Sequence, residues 1–251
     1  MSNTTDMNRT ALIFGATGAV GKQLLVDVLK NGSYSKVIAA GRRPVDIDSS
    51  VPQDKLVQKT IDFEKLDDHR EDFRNVSDVY CCLGTTRADA GSAEKFTKID
   101  QEYVVQSAKV IAEENKPADS SLSPVHFLYC SAMNADKHSM FLYPKSKGQT
   151  EERIKDIGFE RVSIFRPGFL KPVEPRPRSR PLEAVALAIF PPLNNFFGLN
   201  KVNSVDTVGS VMRKVAEDKS IKPSVAKNVE TTAKGTTSYT FTSDDIEHIN
   251  H

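Results

Sequence analysis

Tyr143 and Lys147 stand four positions apart, which on a helix puts them on one face. A lysine ammonium beside a phenol favours the phenolate. A phenol so placed can pass a proton to or from a carbonyl oxygen. Pro144 is tolerated in a first helical turn, so the spacing predicts a helix that starts at Tyr143. Ser131 follows an apolar run and offers a hydroxyl to the same oxygen. Ser131, Tyr143 and Lys147 are therefore the candidate catalytic residues.

A second constellation is Gly15-Ala-Thr-Gly18-Ala-Val-Gly21, directly after the apolar run Thr10–Phe14. Gly15 allows a sharp turn, Gly18 removes a side chain where a diphosphate must approach, and Gly21 lets a helix pack on the strand. The helix N-terminus then turns N–H groups and a positive dipole end toward the phosphates. The spacing is G-x-x-G-x-x-G, not the tighter G-x-G-x-x-G, and an ordinary glycine turn is the competing reading. A dinucleotide loop beside a Tyr–Lys pair points to hydride exchange with a nicotinamide. At the end of the next apolar run, where NAD enzymes place an acid for the ribose 2′-OH, this chain has Arg42-Arg43. Two guanidinium forks suit a 2′-phosphate, so the expected cofactor is NADPH; a solvated charge pair is the bland alternative. Asp62, with Phe63 beside it, stands either to meet the adenine amino group or to cap the next helix.

The elements that must position these residues follow from periodicity. Short apolar runs at Thr10–Phe14, Lys36–Ala40, Leu56–Ile61, Asp78–Leu83, Val125–Cys130 and Arg161–Phe165 read as buried strands. Helical spacing is present over Gly21–Lys30, stopped by Asn31-Gly32, over Ala93–Glu114 and over Val205–Ala216. Ser238–Thr242 reads as a last strand, and Ser243-Asp-Asp245 as the cap of a short final helix. Strand alternating with helix predicts an α/β fold, a doubly wound parallel Rossmann sheet with a small C-terminal substrate or lid region. The expected organisation is one domain over 10–251, with 10–170 as the dinucleotide core and 171–251 as the C-terminal part.

Length and composition narrow the function classes. The chain has 251 residues and a net charge of +1, so no overall field favours nucleic acid, and none is expected as a partner. His69, His126, His138, His248 and His251 show no ligand spacing with Cys81, Cys82 and Cys130, so no metal is expected. Cys81 and Cys82 are neighbours whose side chains point to opposite faces of a strand, and the three thiols read as reduced. Met1–Thr10 is polar and resembles neither a signal peptide nor a cleaved presequence. The apolar stretch Leu182–Leu199 is broken by Pro191, Pro192, Asn194 and Asn195, which makes it a poor membrane span.

Gly15–Gly21, Ser131, Tyr143 and Lys147 together resemble the short-chain dehydrogenase/reductase superfamily. Asp62-Phe-Glu-Lys-Leu-Asp-Asp68, Cys81-Cys-Leu-Gly-Thr-Thr-Arg87, Lys147-Gly148, Phe165-Arg-Pro-Gly168 and Ser179-Arg-Pro181 narrow the match. They resemble the Tat-interacting-protein oxidoreductases, atypical members that bind NADPH, and the related fungal mitochondrial-proteome proteins. The resemblance covers about residues 10–181. It implies that Thr17, Gly18, Ala19 and Val20 lie on the pyrophosphate and that Arg42 and Arg43 take the adenine-side phosphate. It also implies that Leu83 and Gly84, with Thr85, line the cofactor, and that Tyr143 and Lys147 are the active pair. Pro167, Gly168, Leu170 and Arg180 fall on the nicotinamide side. The prolines of Lys171–Arg178 let Arg178 compete with Arg180. Cys130 stands where the family often has a second serine.

The function expected is an NADPH-binding oxidoreductase acting on a small carbonyl or alcohol substrate. The alternative is a regulatory NADPH-binding protein that binds protein partners with little or no turnover. Leu182–Leu199 would then be a docking surface, or a shallow peripheral membrane contact. The expected location is the cytoplasm, with the surface of the mitochondrial outer membrane as the alternative. Both monomer and homodimer remain compatible with the sequence.

Overall fold

The apolar runs bounded by glycine and polar turns become strands, and most of them join one sheet. The computed structural model describes residues 8–171 and 201–251. In chain order the strands are β1 Thr10–Phe14, β2 Lys36–Gly41, β3 Leu56–Thr60, β4 Asp78–Cys81 and β5 Ser123–Cys130. They continue with β6 Phe159–Arg166, β7 Phe169–Lys171, β8 Val202–Ser204, β9 Val229–Thr231 and β10 Thr237–Thr242. Eight of them form a sheet in the order β3-β2-β1-β4-β5-β6-β10-β9, while β7 and β8 pair separately. Pairing in the large sheet is parallel except where β9 runs antiparallel to β10. The predicted doubly wound α/β sheet is the fold observed.

The helices are α1 Ala19–Asn31, the short α2 Arg87–Ala90 and α3 Ala93–Thr97, α4 Tyr103–Glu114, α5 Leu142–Lys155, α6 Val205–Glu217 and α7 Ser243–Asn250. A 3-10 helix spans Leu66–Phe73, and a π-helical turn at Lys98–Glu102 joins α3 to α4. The single helix expected over Ala93–Glu114 is therefore continuous but locally underwound and widened by the π turn. No helix among the described residues is long and apolar enough to cross a membrane.

The central strands feed two cores, because successive side chains point to opposite faces. Ala11 and Ile13 of β1 join Leu24, Leu25 and Val28 of α1 and Val208, Val211 and Met212 of α6. Leu12 and Phe14 join Val104, Ala108 and Ile111 of α4 with Ile154 of α5 on the other face. Burying each such aliphatic side chain contributes roughly 1.5–3 kcal/mol, which outweighs the few tenths by which helix propensities differ.

Some boundaries differ from the sequence expectation. Helix α1 starts at Ala19 rather than Gly21, because Gly18 already serves as its N-cap. The fourth strand stops at Cys81, short of Leu83. The cap of the last helix is Thr242, not Ser243: Thr242 and Asp245 bond each other's backbone N–H in a capping box. The C-terminal part differs most. Residues 201–251 supply α6 against α1 and β10 beside β6, so this portion of the region expected as a lid belongs to the core. Its apolar spacing looked peripheral only because the partners lie far away in sequence.

Candidate active site

Chain order reverses between β1 and β4, so a crevice opens at the carboxyl ends of those strands. The glycine turn sits there. Gly15 has φ +75, and a Cβ on it would lie 2.5 Å from the Cys82 carbonyl oxygen. A Cβ on Gly21 would lie 2.2 Å from the Gly15 carbonyl oxygen, which itself accepts the Gly18 N–H at 2.9 Å. No side chain caps α1, and its first turn holds no acidic residue. The turn is thus a cradle of backbone whose positive helix end faces outward, and it fits a diphosphate. Thr17, Gly18 and Ala19 are exposed there, whereas the Val20 side chain is buried and leaves only its backbone to a ligand. Gly21→Ala is expected to cost about 1–3 kcal/mol by overpacking. A thermal melt checks this, and an unchanged midpoint would show that the helix is not held this close.

Arg42 and Arg43 are exposed at the end of β2 and make no ion pair with a described residue. Asp62 does not cap the next helix, whose N-cap position is Lys65: its carboxylate closes a local turn by accepting the Glu64 N–H at 3.0 Å, and its own N–H donates to His69 Nε2 at 3.1 Å. Phe63 departs from the expected cofactor role, since its ring is buried, stacks on Tyr103 at 5.1 Å and meets Phe14 at 6.0 Å. Leu83 packs against the α4/α5 core. Thr85 Oγ1 donates to the Thr86 carbonyl at 3.4 Å. Gly84 lies over the reaction pair, where a Cβ would stand 3.4 Å from both Asp100 and Lys147.

Tyr143 is the second residue of α5, with Pro144 in the first turn as the spacing required. It is 46% exposed, and its ring lies 6.2 Å from that of Phe96. Lys147, one turn on, is only 3% exposed. Its Nζ donates to Tyr129 Oη at 3.0 Å and stands 3.1 Å from Asp100 Oδ1. That second contact is an ion pair off the hydrogen-bond direction, for Oδ1 accepts no hydrogen bond. Burial opposes the lysine's charge, but Asp100, Tyr129 and Tyr143 outweigh it and hold Lys147 well above its ordinary range. Burial likewise pushes Tyr129 up, against the Lys147 charge. A lysine has three N–H donors and Tyr129 takes one, so Nζ can still aim at a neighbouring oxygen.

Ser131 follows β5 and is engaged differently from expectation. Its hydroxyl donates to Glu151 Oε1 at 2.5 Å, and Glu151, only 1% exposed, is gripped by Arg166 through two bonds of 3.0 and 2.5 Å. With its one proton so directed, Ser131 meets a further partner as an acceptor. Pro167 accepts the Met133 N–H at 3.0 Å. Gly168 is demanded by packing: a Cβ there would lie 2.0 Å from the Lys201 carbonyl oxygen. Leu170 is half-buried against the α1/α6 core. Arg178 and Arg180 and the stretch Leu182–Leu199 lie outside the described residues.

Asp100, Tyr129, Glu151 and Arg166 escaped the sequence reading. Glu151 carried a signal, being four residues beyond Lys147 on the same helical stripe. Asp100 carried none, since the π turn that swings it toward Lys147 leaves no local mark.

Comparison with known proteins gives relatives of matching length. The rat protein HTATIP2 is 37% identical over 183 residues, covering 73% of this chain and 71% of the relative. The Emericella nidulans protein fmp52, named as mitochondrial, is 34% identical over 182 residues, covering 72% and 73%. No family model matches the chain. A short-chain type dehydrogenase/reductase from Mycobacterium ulcerans superposes with a TM-score of 0.63 at 15% identity, covering 96% of this chain and 90% of that one. A UDP-glucuronic acid 4-epimerase from Bacillus cereus, solved with NAD, superposes with a TM-score of 0.56 at 14% identity, covering 84% and 73%.

Proposed function

Because the chain belongs to the family of HTATIP2 and the fungal FMP52 proteins, we propose that it is an NADPH-dependent oxidoreductase of carbonyl or alcohol substrates. The observation that carries this reading is the convergence of Tyr143 and the buried Lys147 beside Gly84, at the same strand ends as the glycine cradle. The nicotinamide, when bound, supplies or takes up a hydride. Backbone N–H groups from Gly15 to Gly21 hold the diphosphate, and Arg42 with Arg43 bind the 2′-phosphate. Tyr143 Oη gives its proton to the carbonyl oxygen as that oxygen gains charge, and takes it back in the reverse direction. Lys147 favours the phenolate left behind and offers a remaining N–H to a ribose hydroxyl. Ser131, oriented by Glu151 and Arg166, accepts a hydrogen bond from Tyr143 Oη or from the hydroxyl of an alcohol substrate.

Purified protein is expected to bind NADPH and to oxidise it in the presence of an aldehyde or ketone panel. NADPH bound without turnover on any member of the panel would overturn the enzymatic reading. Arg42→Ser with Arg43→Ser is expected to weaken NADPH by about 1.5–3 kcal/mol more than NADH, as lost charge-assisted hydrogen bonds would. Fluorescence titration with each cofactor decides it. Equal weakening of both would remove the 2′-phosphate role.

A further inference from the structure

Strands β4 and β5 run parallel with Cys81 opposite Tyr129. Continued one residue past the end of β4, that register brings Cys82 toward Cys130, and both side chains pack toward the α1/α6 core. Both are free thiols, and their interaction raises Cys82 and lowers Cys130. Neighbouring strands lie about 4.7–4.9 Å apart, within the roughly 4.4–6.8 Å that disulfides span between Cα atoms. Cys82 is half-buried and Cys130 is 9% exposed, at the strand ends that border the crevice.

The pair also touches the cofactor machinery on both sides. The Cys82 N–H donates to the Phe14 carbonyl at 3.0 Å, and the Cys82 carbonyl is the atom that excludes a side chain from Gly15. Cys130 immediately precedes Ser131. Any movement that draws these two strand ends together therefore displaces the glycine turn.

We propose that Cys82 and Cys130 are an oxidation site that a hydroperoxide closes to a disulfide, and that closure weakens dinucleotide binding at the adjoining turn. The second half rests on the function proposed above. The Cys130 sulfur attacks one peroxide oxygen, the O–O bond breaks, and a sulfenic acid and water (or alcohol) form. The Cys82 sulfur then attacks the Cys130 sulfur, the S–O bond breaks, and the oxygen leaves as water with the Cys82 proton. The two thiols lose two electrons and the hydroperoxide gains them.

The local chemistry assigns these roles. The hydrogen bond from Cys82 holds the Cys130 thiol below its ordinary value against burial, and the Lys147 charge adds to it. That same bond, with burial, holds Cys82 up. Cys130 is thus the sulfur that attacks and Cys82 the one that resolves. Cys81 faces the opposite core, where burial pushes it up to about 12, and it takes no part.

The test treats the full chain with a small excess of hydrogen peroxide and reads intact mass, linked peptides and NADPH affinity. A mass lower by two hydrogens, a Cys82–Cys130 linked peptide, and at least tenfold weaker NADPH binding restored by dithiothreitol are expected. Cys82→Ala and Cys130→Ala should each abolish the linked peptide. Added oxygen without the link overturns the site. A mapped link with unchanged NADPH affinity overturns the coupling. Reduced protein that binds no NADPH overturns the coupling together with the proposed function, and the mass and peptide data still judge the site.

Discussion

Tyr143→Phe is expected to lower kcat for carbonyl reduction by about 10²–10⁴-fold while leaving NADPH affinity within a few fold. The substitution removes one oxygen and keeps the ring. Packing near Phe96, 6.2 Å away between ring centres, is therefore retained. Tyr143 is also 46% exposed, so the fold loses little. The loss should fall on kcat rather than on NADPH binding, because the lost proton is needed as charge develops on the substrate oxygen. Steady-state kinetics beside a cofactor titration separates the two. An unchanged kcat would assign the proton to another group.

Lys147→Met is expected to cost about 3–5 kcal/mol of stability in addition to activity. Asp100 is fully buried, and Lys147 is the cation facing it at 3.1 Å. Its Oδ2 keeps the Ser146 hydroxyl at 3.0 Å, but a single neutral donor does not compensate a buried carboxylate. For a chain of this size that loss lowers the melting midpoint by roughly 6–20 °C. Adding Asp100→Asn to Lys147→Met should recover most of the stability, because both charges are then gone, while turnover stays lost. Thermal melts of the two single variants and the double variant check this as a cycle. A Lys147→Met protein as stable as the parent would show that the Lys147–Asp100 ion pair does not hold the fold.

The two predictions mark what sequence alone could reach. The glycine turn, the buried strands of a parallel sheet and the Tyr143–Lys147 pair were legible because each leaves a local signature: a glycine triplet after an apolar run, continuous hydrophobicity, a four-residue spacing. Asp100 and Tyr129 were not, because their pairing with Lys147 crosses from the π turn and β5 to α5. The Glu151–Arg166 grip on Ser131 was missed for the same reason. Phe63 and Gly168 were legible as constrained positions, but not by what they pack against. They stand near strand ends, as cofactor residues do, yet one fills the core and the other makes room for the Lys201 backbone. A local pattern says that a position is constrained, and the three-dimensional neighbours say by what.

The packing of α1 against α6 carries a cost in biogenesis. Helix α1 emerges early from the ribosome with Leu24, Leu25 and Val28 uncovered, and Val208, Val211 and Met212 of its partner arrive only with the last fifth of the chain. Until then the growing polypeptide presents an oily stripe and an unpaired β6 edge to solvent. Long-range closure of this kind slows folding and raises the demand for chaperones.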